Sequence, residues 1–154
     1  MSAPLAFHLL KHFKPSEFGD SVPYMHESTL LTLDAFREYW GARVDVSPAK
    51  GGLARWLGPD AMSGHNVDRW GACMAADLFP TGMTTVKDMT RAVACAISAG
   101  ATGIGLYTDT RPGFMIHLDT RPDRTAHSPR LWSRIDGKYG PIGDALNACG
   151  ERTK

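Results

Sequence analysis

Long apolar runs are absent from the sequence, and this argues against a membrane protein. No segment approaches the roughly 20 consecutive apolar residues that a membrane-spanning helix needs. The apolar stretch at the N-terminus is interrupted by His8, Lys11 and His12, so that it lacks the core of a signal peptide. We therefore expect a protein that is made in the cytoplasm without a signal peptide and has no membrane partner.

An excess of one charge is also absent. Seventeen Lys and Arg residues stand against 16 Asp and Glu residues, which gives a net charge of +1. With this balance no nucleic-acid partner is expected. One local group of arginines is interleaved with acidic residues, as is typical of a solvated surface: Arg121, Arg124, Arg130 and Arg134.

Cysteine is scarce. The three cysteines, Cys73, Cys95 and Cys149, form no C-x-x-C pair and have no zinc-finger spacing. An odd number in a chain of 154 residues favours buried, reduced thiols over a disulfide framework. This length suits one hydrophobic core, so we expect residues 1–154 to form a single domain and a monomer.

Apolar spacing predicts both helices and strands. Apolar residues three and four positions apart indicate helices that end at glycines, and short apolar or alternating runs indicate strands. The predicted helices cover 27–40, 84–99 and 142–148, and the predicted strands cover 43–46, 72–79, 103–107 and 114–119. The rest of the chain after Pro129 has no strong period. The sum predicts an α+β domain in which two main helices pack against a small, largely antiparallel sheet.

Two histidines and one aspartate stand out by their surroundings. His65 lies in a loop, Asp77 within an apolar run, and His117 within an apolar strand. Burying a carboxylate is costly unless something pairs with it, and a catalytic zinc site takes three ligands from the protein. Each residue alone is better explained as a hydrogen-bonded core residue, but the three together favour a metal site. The other histidines have no comparable surroundings: His8, His12, His26 and His127.

Four short motifs follow one another along the chain. They are Ser63-x-His65, Ala75-x-Asp77, Gly103-Ile104-Gly105-x-Tyr107 and Phe114-x-x-His117-x-Asp119. Over roughly residues 43–121 the chain resembles the zinc D-alanyl-D-alanine carboxypeptidase family (LAS-type metallopeptidases), which is grouped with lysostaphin-type and hedgehog-type domains and includes phage endolysins. The resemblance implies a hedgehog-like or D-Ala-D-Ala-peptidase-like fold. The chain length and the missing signal peptide also resemble those of a phage or prophage protein.

The resemblance assigns roles to individual residues. The implied Zn2+ ligands are His65, Asp77 and His117. Ser63 would support the loop of the first ligand. Arg55 would bind a substrate carboxylate or the developing oxyanion, although a plain surface arginine is an equal alternative. Tyr107, with Trp56 and Trp70, would line a groove for the substrate or would serve packing alone.

The spacing of the first two ligands departs from the family pattern. Twelve residues separate His65 from Asp77, which is a longer gap than the usual one. Asp68 lies within this gap and is a rival ligand. The Ala-x-Asp sequence around Asp77 matches the family motif, so Asp77 is preferred.

The general base also departs from the pattern. Many relatives have a carboxylate three residues before the last ligand, where this chain has Phe114. The base would then be Asp119, on the strand face of His117, or Asp109 in the preceding turn. Alternatively, Asp119 is the partner that orients His117.

Together these observations lead to one preferred function and two alternatives. The preferred function is a zinc-dependent peptidase that hydrolyses peptidoglycan stem peptides as a carboxypeptidase or endopeptidase. It would act on the cell wall after release or as part of a phage particle. The first alternative is a non-catalytic zinc-containing module that binds cell wall or belongs to a phage structure. The second is a metal-free binding protein whose His and Asp side chains are hydrogen-bonded in the core.

Overall fold

Helices are combined with a mainly antiparallel sheet, which confirms the predicted α+β class. The structure is a computed structural model that describes residues 2–152, with side chains to residue 150. The elements are α1 (Glu27–Trp40), β1 (Val44–Val46), α2 (Val67–Trp70), β2 (Ala75–Pro80), α3 (Val86–Ser98), β3 (Gly103–Tyr107), β4 (Met115–Asp119), β5 (Arg130–Ile135), β6 (Lys138–Gly140) and α4 (Ile142–Arg152). Three short 3-10 segments precede α1: Leu5–His8, Pro15–Glu17 and Gly19–Tyr24.

Local sequence signals set the ends of the two main helices. The predicted range of α1 is confirmed, and Gly41 ends the helix in the left-handed conformation, with a φ of 76°. Helix α3 begins with a capping box, in which the side chains of Thr85 and Asp88 each accept a hydrogen bond from the other's backbone N–H. Among residues 2–152, no helix combines the length and apolar character that crossing a membrane requires.

The described strands form one mixed sheet of six strands in the order β1-β2-β4-β3-β5-β6. Neighbouring strands are antiparallel except for β3 and β5, which are parallel. The predicted sheet lacked β5 and β6. Most residues of these two strands are exposed or half-buried, so they form no apolar run that would indicate a strand.

The two faces of the central strands have different surroundings. Residues of α1 and α3 form the hydrophobic core together with alternate residues of the central strands. These strand residues are Ala76 and Leu78 of β2, Ile104 and Leu106 of β3, and Ile116 and Leu118 of β4. Successive side chains of a strand point to opposite faces. Asp77, Gly105 and His117 therefore share the face that is turned away from these helices.

Candidate metal centre

Asp77 and His117 are direct neighbours across two antiparallel strands. Asp77 of β2 pairs in register with His117 of β4, so both side chains leave the sheet at the same place and on the same face. Nδ1 of His117 lies 3.0 Å from Oδ1 of Asp77. Both residues are buried, with 7% and 6% of their surface exposed.

His65 reaches this pair from the loop before α2. The loop lies against neighbouring chain segments: the carbonyl of His65 accepts a hydrogen bond from the N–H of Arg55 (2.9 Å), and that of Gly64 accepts one from Met74 (2.8 Å). The Ser63 hydroxyl accepts a hydrogen bond from the N–H of His65 at 3.2 Å, a supporting contact of the kind expected for Ser63. The loop therefore holds the third ring by backbone contacts.

The three donor atoms form a compact triangle. Nε2 of His65 lies 3.3 Å from Nδ1 of His117 and 3.3 Å from Oδ1 of Asp77. Nitrogen from histidine and oxygen from a carboxylate are common zinc ligands. His65, Asp77 and His117 thus form a buried group that can hold a metal ion.

The opposite nitrogen of each ring has a partner outside this triangle. Nδ1 of His65 lies 2.7 Å from the carbonyl oxygen of Leu53, to which it donates. Nε2 of His117 lies 3.0 Å from Oδ2 of Asp119 and donates to that carboxylate. In neutral rings the nitrogens that face the triangle then carry lone pairs. Three acceptors so close together need a cation between them, either a metal ion or a proton.

The pKa shifts of the three side chains indicate where such a proton would reside. Burial works to lower the pKa of His117, but hydrogen bonds to Asp119 and Asp77 outweigh it and raise the pKa to about 9. Burial lowers the pKa of His65. Burial works to raise the pKa of Asp77, but hydrogen bonds with His117 and His65 lower it. Without a metal, the proton therefore belongs to His117.

The two candidate bases lie in different surroundings. Asp119 is 1% exposed, and besides His117 it accepts a hydrogen bond from Nη1 of Arg124 at 3.1 Å. Asp109 accepts hydrogen bonds from Nε of Arg134 at 3.1 Å and from the N–H of Gly137 at 2.7 Å. Burial works to raise the pKa of Asp109, but these hydrogen bonds lower it. Asp119 thus contacts His117 directly, as an orienting partner would, and Asp109 holds the turn between β5 and β6.

The rival ligand Asp68 lies apart from the triangle. Its side chain is exposed on α2, and its carboxylate accepts a hydrogen bond from the N–H of Gly58 at 2.8 Å. The additional residues between His65 and Asp77 form α2 and its flanking turns. Trp70 of α2 donates its indole N–H to the carbonyl of Ser63 at 2.8 Å. The longer segment between His65 and Asp77 therefore supports the loop of His65.

The candidate centre opens into a cavity of about 690 Å³. Arg55 lines it, with Nη2 3.7 Å from Oδ2 of Asp77. Tyr107 also lines it, and burial raises the pKa of its hydroxyl. Trp56 is 55% exposed and packs edge-on against Tyr24, with ring centroids 4.9 Å apart. Of the proposed substrate contacts, Arg55 and Tyr107 thus lie at the centre.

Basic residues outnumber the carboxylates in the lining of this cavity. They are Lys50, Arg55, Arg111, Arg121, Arg124, Arg130 and Arg134. Four of these arginines were expected on a solvated surface, but Arg121 is only 7% exposed. Sequence patterns do not show this grouping, because Arg130 and Arg134 come from the unpredicted strand β5.

These observations define the class of protein: it has an α+β fold with a buried His-Asp-His group in a basic cavity. Comparisons with models of protein families, with curated proteins and with solved structures give no match. Its function is therefore inferred from the geometry.

Proposed function

We propose that His65, Asp77 and His117 bind Zn2+ and that the protein is a zinc peptidase that hydrolyses stem peptides of bacterial peptidoglycan. One observation carries this proposal: three ligand atoms converge on one point. Further hydrogen bonds fix the orientation of the two histidine rings. Three protein ligands are the number that catalytic zinc sites use. Partners that orient histidine ligands are a regular feature of such sites.

The protein would contribute binding and orientation to the reaction. When bound, zinc supplies Lewis acidity for attack on a carbonyl group. Asp119 keeps the N–H of His117 at Nε2, and Leu53 does the same for His65 at Nδ1, so that both rings present lone pairs to the metal. Arg55 has a partly exposed guanidinium beside Asp77, from which it can donate hydrogen bonds to a developing oxyanion or a substrate carboxylate.

The charge of the cavity supports an anionic peptide as substrate. Seven basic residues face three carboxylates, Asp77, Asp109 and Asp119, in the cavity lining, whereas the whole chain has a net charge of only +1. Among the side chains of residues 2–150, Lys50, Arg111 and Arg130 form no ion pair. Stem peptides have free carboxylates, which such a cavity attracts and orients.

The order of the motifs supports the finer assignment of the fold. The Ser-x-His loop, the Ala-x-Asp strand and the His-x-Asp strand follow one another as in the zinc D-Ala-D-Ala peptidases that the sequence resembles. Two of the ligands come from adjacent antiparallel strands. We propose a hedgehog-like or D-Ala-D-Ala-peptidase-like fold in a phage or prophage protein that acts on the cell wall after release or within a phage particle.

A second candidate function rests on the general base. Phe114 stands where many relatives have a carboxylate, and the two alternatives are engaged: Asp119 by His117, and Asp109 by Arg134. A lowered pKa also makes Asp109 a weak base. This arrangement favours a non-catalytic zinc-containing module that binds cell wall or belongs to a phage structure.

Zinc content and peptidoglycan digestion test both candidates. Protein purified without an affinity tag is expected to bind about one zinc ion per chain, lost in His65→Ala and Asp77→Ala but kept in the matched control Asp68→Ala. Purified peptidoglycan should then release new amino groups, and a chelator should stop this release until zinc is restored. Zinc binding without hydrolysis would support the second candidate. A protein that takes up no zinc would contradict both.

A further inference from the structure

Trp132 of β5 reaches the candidate centre across a glycine. In the sheet, Gly105 of β3 lies between His117 of β4 on one side and Trp132 on the other. A Cβ atom at Gly105 would lie 2.5 Å from Nε1 and 2.6 Å from Cε2 of Trp132. The indole therefore lies directly on the backbone of β3, in the space where any other residue has its side chain.

From this position the indole touches the last ligand. The ring centroids of Trp132 and His117 are 5.1 Å apart at an angle of 55°. The indole N–H also donates a long hydrogen bond of 3.4 Å to the hydroxyl of Tyr107, whose ring lies nearly parallel to that of His117 at 6.4 Å. Two aromatic side chains thus border the imidazole in the cavity.

Further contacts, through Arg124 and Asp119, connect Trp132 to the imidazole ring of His117. The guanidinium carbon of Arg124 lies 5.4 Å from the ring centroid of Trp132, and the same side chain pairs with Asp119 at 3.1 Å. Asp119 in turn accepts the N–H of His117. Rotation of the His117 imidazole would break this hydrogen bond and would also displace the Trp132 indole.

We propose that Trp132 is a positioning residue, which keeps Nδ1 of His117 directed at Asp77 and His65, and that Gly105 is required for this contact. The inference rests on the proposed metal centre and extends it to strand β5, outside the region of the motif resemblance. Removal of residues that orient a metal ligand commonly weakens metal binding about 10- to 100-fold. For Trp132 we expect a loss of about tenfold, at the lower end of this range.

Cobalt(II) binding to the full chain tests the proposal, because its visible absorption reports the arrangement of the ligands. Trp132→Leu is expected to bind Co2+ about tenfold more weakly than the wild type and with a shifted spectrum. Trp132→Phe, which keeps a ring over Gly105, should stay close to the wild type. The matched control is Leu131→Ala, which removes the neighbouring, 38% exposed side chain of the same strand and should change neither quantity.

A double-mutant cycle tests the role of Gly105. Gly105→Ala alone should displace the indole and reproduce the loss, whereas it should add little once Trp132 is leucine. Wild-type cobalt affinity and spectrum in Trp132→Leu would overturn the inference, and so would fully additive losses. Should the leucine variant not fold, wild-type binding by Gly105→Ala would overturn it equally. Failure of the wild type to bind cobalt or zinc would instead overturn the metal centre itself.

Discussion

The carboxylate of Asp119 accepts a hydrogen bond from Nε2 of His117, two residues away on the same strand, at 3.0 Å. This contact fixes which nitrogen of the ring is free for a metal. We expect Asp119→Asn to weaken zinc binding about 10- to 100-fold in competition with a chelating dye. Asp109→Asn is the matched control and should keep the affinity. If Asp119 were instead the general base, its asparagine variant would bind zinc normally and only lose hydrolysis.

Metal binding should depend on pH, because His117 has to lose a proton. With its pKa raised to about 9, the ring is protonated in the metal-free protein below that pH. Each unit below it should weaken the apparent metal affinity about tenfold. The pKa values of His65 and Asp77 are lowered, so that neither adds a proton near neutrality. Titrations between about pH 6 and 9 measure this slope, and a constant affinity would contradict it.

A side chain at Gly103 should destabilise the fold. A Cβ atom there would lie 2.5 Å from Nη1 of Arg124 and equally close to Oδ1 of Asp119. Gly103→Ala is therefore expected to cost about 1–3 kcal/mol in the free energy of unfolding, measured by denaturant titration. Gly113→Ala is the control, since nothing lies within 4 Å of a Cβ at that position. Equal stability of the two variants would show that the strand adjusts freely.

The basic cavity should determine substrate affinity. Arg130→Glu reverses a charge of the cavity lining and is expected to raise KM for stem peptides about tenfold without changing zinc content. Lys138→Glu makes the same charge change at an exposed site of the adjacent strand β6, outside the lining, and should have little effect. A similar response of both variants would mean that only the net charge of the protein matters.

The thiols should be unreactive in the folded protein. All three cysteines are buried thiols, as predicted, and burial raises the pKa of Cys73 to about 12. A thiol reagent at about pH 8 should therefore modify the native chain slowly, because the thiolate is the reactive form. Denaturant should expose all three. A cysteine that reacts in the native protein as fast as a free thiol would contradict the buried placement.

Periodicity predicted the elements whose apolar residues are buried along one face. Helix α1 and strand β3 occur where the spacing placed them, and the period of two put Asp119 on the face of His117. The same spacing would group Ile97 with Met89 and Val93 on the buried face of α3, although Ile97 is 43% exposed. Small residues, among them Ala92 and Ala96, form that face instead. Because their side chains are small, they contribute little to a hydrophobic pattern.

The contribution of β5 to the site was not predictable from local patterns. Trp132 is half-buried on a strand of mixed polarity, and its contact with His117 depends on the parallel pairing of β5 with β3. Such pairing joins residues far apart in the chain, which periodicity does not report. The Gly103-Ile104-Gly105 motif was noted as part of a resemblance, whereas its physical role is to leave room for Asp119 and Trp132.

The hydrogen bonds that orient His65 and His117 come from the protein itself, and this determines when a metal can enter. We expect these hydrogen bonds to hold the proposed ligand atoms in place once the chain has folded, before a metal ion binds. Small zinc fingers behave differently, because their chains stay unfolded until the metal binds. Uptake of metal by the proposed centre would then be an encounter between an ion and a folded protein. Its rate would follow the concentration of free ion around the folded chain rather than the pace of synthesis.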